Sequence, residues 1–123
     1  MTKKLARRVL GQKGEEIAAG FLMAHGYKIL ERNFRCRLGE IDIVAQEGDT
    51  TVFVEVKTRS SIAYGQAQEA ITYRKRTKLR QLGEYYALQY GPHRQDSFRF
   101  DVVAIKVSAS GQVENIELIR DAL

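Results

Sequence analysis

The sequence is poor in the residues that build disulfide frameworks, zinc sites and membrane spans. Its 123 residues include one cysteine, one proline, two histidines and no tryptophan. A single cysteine, Cys36, can form neither an internal disulfide nor a multi-cysteine zinc site, and a free thiol suits a reducing compartment. No apolar run approaches the roughly 20 residues that a membrane span needs, and no apolar signal segment follows the basic start. We therefore expect a cytoplasmic protein that does not cross a membrane.

What the sequence does contain is typical of a folded globular chain. Hydrophobic residues make up 44% of the sequence and charged residues 28%, a balance that argues against disorder. The length suits one domain, and no repeat or linker interrupts it. We therefore predict a single domain over residues 1–123.

The charge is unevenly distributed along the chain. Lysine and arginine number 20 against 15 acids, which gives a net charge of +5. Residues 1–14 and residues 74–80 each hold five basic residues and no acid, whereas residues 38–56 hold five acids and no base. A single basic run is usually a solvated helix face. Two such runs in so short a chain favour a polyanionic partner, in particular nucleic acid.

Hydrophobic periodicity predicts two helices and five strands in the order α-β-β-β-α-β-β. The predicted helices run from Lys3 to about His25 and from about Gln66 to Gln89, with Gly83 as a weak point in the second. The predicted strands are 27–34, 39–46, 51–58, 98–107 and 113–119. The second and third strands should form a hairpin, and the long helical link should make the third and fourth parallel. The fold class is α/β, a mixed sheet flanked by helices.

The hairpin concentrates acidic residues on one side. A loop centred on Gly48 and Asp49 places Asp42 opposite Glu55 and Glu40 opposite Lys57. Alternation along the strands then separates a charged face from an apolar one. The charged face holds Glu40, Asp42, Glu55 and Lys57, and the apolar face holds Ile41, Ile43, Val54 and Val56.

This charged face predicts a divalent metal. Asp42 and Glu55 repel each other across a ladder unless a cation neutralises them, and carboxylate oxygens are the ligands that Mg²⁺ prefers. A neighbouring Lys57 could orient a water or stabilise charge on a scissile phosphate. Glu40 facing Lys57 is also compatible with an ordinary cross-strand salt bridge, and the Glu-x-Lys tripeptide alone is common in strands.

A third acid lies on the first helix. Glu15 falls at the rim of the apolar face and can reach the sheet, whereas Glu16 points to solvent. Without other evidence, the pattern favours the alternative that both are surface acids of the helix that offset Lys3, Lys4 and Arg8. Asp101, in the fourth strand, has Arg99 or Arg59 as its candidate partner.

Several motifs follow one another along the chain: Gly11-Gln-Lys-Gly14-Glu15-Glu-Ile-Ala18, Gly26-Tyr-Lys-Ile-Leu30, Arg32-Asn-Phe-Arg35, Gly39-Glu-Ile-Asp42, Val52-Phe-Val-Glu55-Val-Lys57-Thr-Arg59 and Arg99-Phe-Asp-Val-Val103. In this order and spacing, they resemble the bacterial YraN family over roughly residues 8–106. That family resembles the PD-(D/E)XK nuclease superfamily, which has the restriction-endonuclease-like fold, and archaeal Holliday-junction resolvases in particular.

The resemblance implies a fold and a set of site residues. The fold is an α-β-β-β-α-β core with a further C-terminal strand, and the site combines Asp42, Glu55 and Lys57. Glu15 matches a glutamate on the first helix of the resolvases, and Lys75 matches a family lysine that could contact phosphate. The chain departs from the superfamily pattern in having no proline before the aspartate.

We accordingly predict a Mg²⁺- or Mn²⁺-dependent endonuclease acting on DNA, in particular branched or structured DNA. Asp42, Glu55 and Glu15 would bind the metal, and Lys57 would assist the attacking water. A homodimer is expected from the resemblance to resolvases alone. The alternatives are a nucleic-acid-binding module without catalysis and an RNA-processing nuclease. The residues expected to contact phosphates are Arg35, Arg59, Arg74, Lys75 and Lys78.

Overall fold

The computed structural model describes residues 3–60, 73–90 and 97–122, with side chains described for residues 13–60, 75–89 and 97–122. Within these ranges the chain forms two helices and five strands. They are α1 (Lys3–Ala24), β1 (Lys28–Cys36), β2 (Gly39–Glu47), β3 (Thr50–Ser60), α2 (Tyr73–Tyr90), β4 (Phe98–Val107) and β5 (Val113–Ile119). The part of the second helix predicted for residues 66–72 lies outside the described residues.

The strands form one mixed sheet in the order β1-β2-β3-β4-β5. β3 and β4 are parallel, whereas β1 with β2, β2 with β3, and β4 with β5 are antiparallel. The parallel pair is the one whose connection carries α2, as the long helical link requires. The predicted α/β class and the element order are confirmed. Neither helix in the described part of the chain is long and apolar enough to cross a membrane.

The two helices cover opposite faces of the sheet. On the α1 face, Ala18 and Leu22 pack on alternate residues of the central strands. On the α2 face, Leu79, Leu82 and Tyr86 form a second core. The sheet residues of the first core include Ile43, Ala45, Val52, Val54, Val103 and Ile105, and those of the second are Phe34, Ile41, Val44 and Phe53. The period of two along β3 thus divides its residues between the cores.

Gly83 allows α2 to lie close to the sheet. A Cβ atom at this position would lie 2.9 Å from Phe100 Cζ and 3.1 Å from Phe53 Cε2. Gly83 therefore does more than weaken the helix. Because it has no side chain, the rings of Phe53 and Phe100 can pack under the helix.

The β2–β3 hairpin has the predicted register but ends sooner than predicted. Gly48 and Asp49 form the turn, Gly48 has a φ of 58°, and the paired residues run from Glu47 with Thr50 to Ile43 with Val54. Beyond that pair β2 continues beside β1 and β3 continues beside β4. The two strands therefore separate at Asp42, and Asp42 and Glu55 are not ladder partners. The predicted apolar face is wrong at Ile41, which packs in the α2-side core while Ile43 packs in the α1-side core.

Candidate metal centre

Asp42 lies where β2 and β3 separate. Its Oδ2 accepts a hydrogen bond of 2.8 Å from the main-chain N–H of Val56 on β3. A side-chain carboxylate thus takes the place of a main-chain acceptor at the end of the hairpin ladder. This bond holds one oxygen of Asp42 in place and fixes the orientation of the carboxylate.

Two further carboxylates converge on Asp42. Oxygen atoms of Glu15, Glu40 and Asp42 all lie within 4.8 Å of one another. Glu15 reaches this point because α1 lies very close to β3, where a Cβ on Gly14 would lie 2.2 Å from Thr58 Oγ1. The structure therefore places Glu15 beside Asp42, as the prediction of a metal centre requires.

The environment of Asp42 penalises its negative charge. Burial raises the pKa of Asp42 to about 6; the Val56 N–H opposes this rise, and the charges of Glu15, Glu55 and Glu40 add to it. A raised pKa of this origin means that the folded chain holds the ionised carboxylate at a cost in free energy. A bound cation would remove that cost.

Glu55 projects toward α2 and is only partly satisfied. Its side chain is 17% exposed, and Oε1 forms an ion pair with Nζ of Lys75. Oε2 is buried and has no hydrogen-bond partner among the described residues. A buried carboxylate oxygen without a donor is costly, so Glu55 retains the capacity to bind a cation.

Lys57, two residues after Glu55 on β3, is a buried lysine. It is 5% exposed, and its pKa is lowered by burial and then by the charge of Lys75, while Glu55 acts in the opposite direction. A lysine with a lowered pKa can exchange a proton more readily than one in water. Its position on the same face of β3 as Glu55 follows from the two-residue spacing.

The donor set fits a hard divalent cation. Glu15 on α1 and Glu40 and Asp42 on β2 bring their carboxylate oxygens together, and Glu55 on β3 adds an oxygen that is buried without a donor among the described residues. Mg²⁺ and Mn²⁺ take oxygen ligands of this kind. In the part of the chain that the structure describes, the carboxylates brought within 4.8 Å of one another are those of Glu15, Glu40 and Asp42. Glu55, also predicted as a ligand, lies outside that group and pairs with Lys75.

The role of Glu40 differs from the predicted one. Its carboxylate forms an ion pair with Arg35, with 3.3 Å between Nε and Oε2, so the suggested salt bridge to Lys57 is wrong. Glu40 pairs with Arg35 across the β1–β2 ladder, and the hairpin has already opened before Glu40 could face Lys57. The alternation along β2 indicated that Glu40 shares a face with Asp42, but not that it would approach Glu15.

A cavity of about 200 Å³ adjoins the acidic cluster on the α2 side. Glu40, Asp42 and Glu55 line one part of it, and Lys75 and Lys78 line another. The remaining wall is mostly apolar and includes Phe53, Leu79, Leu82 and Phe100, with Asp101 as a further charged residue. The acids are therefore reachable from outside through a space that also presents two lysines.

The residues predicted to contact phosphates differ in their surroundings. Arg35, Arg59 and Lys78 are exposed; Arg59 donates to the carbonyl of Thr58 at 2.9 Å. Lys75 is half-exposed and pairs with Glu55. The side chain of Arg74 lies outside the described residues. Of these residues, Lys75 and Lys78 line the cavity beside the acids.

Asp101 belongs to a separate network on the α1 side of the sheet. It is 1% exposed, accepts bonds from Tyr27 Oη at 2.9 Å and Arg99 Nε at 2.8 Å, and also accepts the N–H of Asp121 at 3.0 Å. Of the two candidate partners, Arg99 is therefore the one that pairs with Asp101. Burial, followed by the bond to Asp101, raises the pKa of Tyr27. Glu47 completes the network by binding Arg99 and Arg120.

Taken together, these features define an α/β protein whose mixed sheet carries a cluster of carboxylates where two strands separate. The chain belongs to the Uncharacterised protein family UPF0102, whose model matches residues 14–105. The family assignment drawn from the sequence motifs is thereby confirmed.

Curated relatives match nearly the whole chain. A "UPF0102 protein" of Moorella thermoacetica is 49% identical over 118 residues, covering 96% of this chain and 98% of the relative. One from Caldicellulosiruptor saccharolyticus is 48% identical over 116 residues, covering 94% and 98%. One from Clostridium botulinum is 43% identical over 113 residues, covering 92% of each. The similarity therefore extends over nearly the full length of this chain and of each relative.

Proposed function

We propose that this chain is a divalent-metal-dependent endonuclease that hydrolyses phosphodiester bonds in DNA, in particular in branched or structured DNA. The observation that carries the proposal is the convergence of Glu15, Glu40 and Asp42 within 4.8 Å. It lies where β2 separates from β3, the strand that carries Glu55 and the buried Lys57. Acids at a place where a polyanion must dock call for a cation between them. The proposed location is the cytoplasm.

In this proposal Asp42, Glu55 and Glu15 hold Mg²⁺ or Mn²⁺. When bound, the metal supplies Lewis-acid polarisation of the phosphate and lowers the pKa of a coordinated water. The Val56 N–H keeps the Asp42 carboxylate oriented for this task. Lys57 donates a hydrogen bond that orients the attacking water and stabilises the charge that develops on the phosphate oxygens.

The basic residues around the cavity would hold the substrate by its backbone. Lys78 and Lys75 line the same cavity as the acids, and Arg35 and Arg59 are exposed. Contacts of this kind neutralise phosphates without reading bases, so we expect affinity to fall steeply with salt and recognition to depend on the shape of the nucleic acid.

A cleavage assay on labelled substrates tests the proposal. Single-stranded, linear duplex and four-way DNA, together with an RNA duplex, are incubated with Mg²⁺ or Mn²⁺ and with wild type, Asp42→Asn or Lys57→Met. We expect metal-dependent cleavage by wild type, reduced by at least about 100-fold in both variants. Cleavage that survives both substitutions would point to a contaminant, and cleavage of RNA alone would assign the site to RNA processing.

A nucleic-acid-binding module without catalysis is the second candidate function. The observation that favours it is the ion pair of Glu55 with Lys75, because a lysine already neutralises one of the acids without a metal. On this account DNA binding is unchanged by Mg²⁺ and by Asp42→Asn. A gel-shift titration with and without Mg²⁺ separates it from the nuclease.

A further inference from the structure

The ion pair between Glu55 and Lys75 joins the acidic cluster to α2. Glu55 lies on β3, and Lys75 lies on α2. The carboxylate is 17% exposed and the lysine 41% exposed, so the pair is partly shielded from water. It contributes more than a pair fully exposed on the surface would.

Lys75 and a divalent cation would compete for Glu55. Oε1 of Glu55 forms the ion pair with Lys75, and Oε2 of Glu55 is buried without a donor among the described residues. A cation shared by Asp42 and Glu55 would come close to the Lys75 ammonium and repel it. With such a cation bound, the Glu55 carboxylate would face two mutually repelling cations.

We infer that Lys75 forms its ion pair with Glu55 in the metal-free protein. When the metal binds, Lys75 leaves that carboxylate and binds a substrate phosphate instead. This inference rests on the proposed function, because it assigns to Lys75 a positioning role in the same site. Lys75 therefore lowers the metal affinity of the free protein and adds a phosphate contact only in the metal-loaded one.

The exchange requires little movement of the backbone. A lysine side chain is a flexible four-carbon stem with a point charge, so its ammonium can turn away from Glu55 while α2 stays in place. Lys75 and Lys78 line the same cavity as Glu55, so an ammonium released from Glu55 remains beside the space that the phosphate would enter. Metal binding and phosphate binding are then coupled through one side chain.

Metal affinity is the first readout. Mn²⁺ is titrated calorimetrically into wild type, Lys75→Met and Lys78→Met at pH 7.5. We expect Lys75→Met to bind Mn²⁺ at least about fivefold more tightly than wild type, because the competing cation is gone. Lys78→Met, which removes an equal charge from the same cavity, should change the affinity by less than about twofold. Equal affinities in wild type and Lys75→Met overturn the inference.

The salt dependence of DNA binding is the second readout. Affinity for a four-way junction is measured between 50 and 200 mM salt, without metal and with Ca²⁺, which takes the same oxygen ligands. With Ca²⁺, the slope of log affinity against log salt should be shallower by about one in Lys75→Met than in wild type. Without metal the two slopes should agree, because Lys75 is held by Glu55. A difference of the same size in both conditions would make Lys75 a permanent phosphate ligand and overturn the exchange.

The design separates this inference from the proposed function. If wild type binds no Mn²⁺ or Ca²⁺, the nuclease proposal fails along with the exchange. If wild type binds the metal but Lys75→Met binds it no more tightly, only the exchange fails. Circular dichroism of each variant verifies folding, and Lys75→Gln replaces Lys75→Met in both measurements if the methionine variant is unfolded.

Discussion

At the scale of single residues, Asp42 carries the strongest signal of the site. The sequence indicated an acid near Glu55, but its hydrogen bond to the Val56 N–H and its approach to Glu15 and Glu40 depend on three elements meeting. A partly buried carboxylate surrounded by other carboxylates has to be neutralised by protonation or by a cation. The pH dependence of folding without metal measures the cost of leaving this carboxylate ionised.

The first prediction concerns this pH dependence without metal. The folded pKa of Asp42, about 6, lies above its ordinary value of 3.8, so the folded state binds the proton more tightly than the unfolded state. The contribution of Asp42 to the free energy of unfolding is therefore fully present below about pH 4 and is lost as the pH rises through about 6. We expect Asp42→Asn to raise the free energy of unfolding at pH 7.5 by about 1 to 3 kcal/mol and to flatten the profile between pH 4 and 6.

Urea unfolding in EDTA across this pH range measures the effect. Asp49→Asn, in the exposed turn of the hairpin, is the matched control and should leave the profile unchanged. An Asp42→Asn protein that is less stable than wild type at pH 7.5 without metal would contradict this reading of the carboxylate.

The second prediction concerns Lys57. Because this lysine is proposed to orient water and not to hold the metal, Lys57→Met should keep Mn²⁺ affinity within about threefold of wild type while cleavage falls at least about 100-fold. Parallel calorimetric and cleavage measurements separate the two effects. A loss of metal affinity equal to the loss of cleavage would instead make Lys57 a residue that shapes the metal site.

At the scale of elements, the position of α1 on β3 determines where Glu15 lies. Gly14 lets the helix approach until a Cβ would lie 2.2 Å from Thr58 Oγ1. The third prediction is that Gly14→Ala lowers the free energy of unfolding by about 1 to 3 kcal/mol through overpacking and weakens Mn²⁺ binding by displacing Glu15.

Gly20 provides a control on the same helix. Nothing lies within 4 Å of a Cβ at Gly20, so Gly20→Ala should stabilise the protein by about 0.5 to 1 kcal/mol through helix propensity alone. Thermal unfolding and Mn²⁺ titration of both variants test the difference. Equal stability of the two variants would show that the contact of α1 with β3 is looser than described.

Much of the element-scale structure could be predicted from the sequence. The register of the β2–β3 hairpin follows from the turn at Gly48 and from alternation, and the parallel pairing of β3 with β4 follows from the helical connection. The point where the hairpin opens could not be predicted, because it depends on β1 and β4 holding their neighbours apart. For the same reason alternation misplaces Ile41, and it places Glu40 opposite Lys57 although Glu40 pairs with Arg35.

At the scale of the whole molecule, charges that are distant in sequence are brought together in two separate groups. Tyr27 and Asp101 lie 74 positions apart yet share a hydrogen bond, and no local pattern predicts such a pair. Arg99 and Arg120 bind Glu47, so this network ties the residues after β5 to the end of β2. This network stabilises the sheet, whereas the cluster of Glu15, Glu40 and Asp42 is the proposed site.

The fourth prediction distinguishes these two groups. Asp101→Ala leaves the Arg99 guanidinium and the Tyr27 hydroxyl without their buried acceptor, so we expect a loss of about 3 to 5 kcal/mol in the free energy of unfolding. At a temperature where the variant remains folded, its Mn²⁺ affinity should match that of wild type. Asp49→Ala, which removes an exposed acid, is the control and should change stability by less than about 0.5 kcal/mol.

Calorimetric titration of Mn²⁺ into wild type and Asp42→Asn at pH 7.5 tests the metal centre most directly. We expect saturable binding by wild type and an affinity at least about tenfold weaker in Asp42→Asn. The substitution removes one charged ligand but keeps the bond to the Val56 N–H. Absence of binding by wild type, or equal affinity in the two proteins, would contradict this expectation.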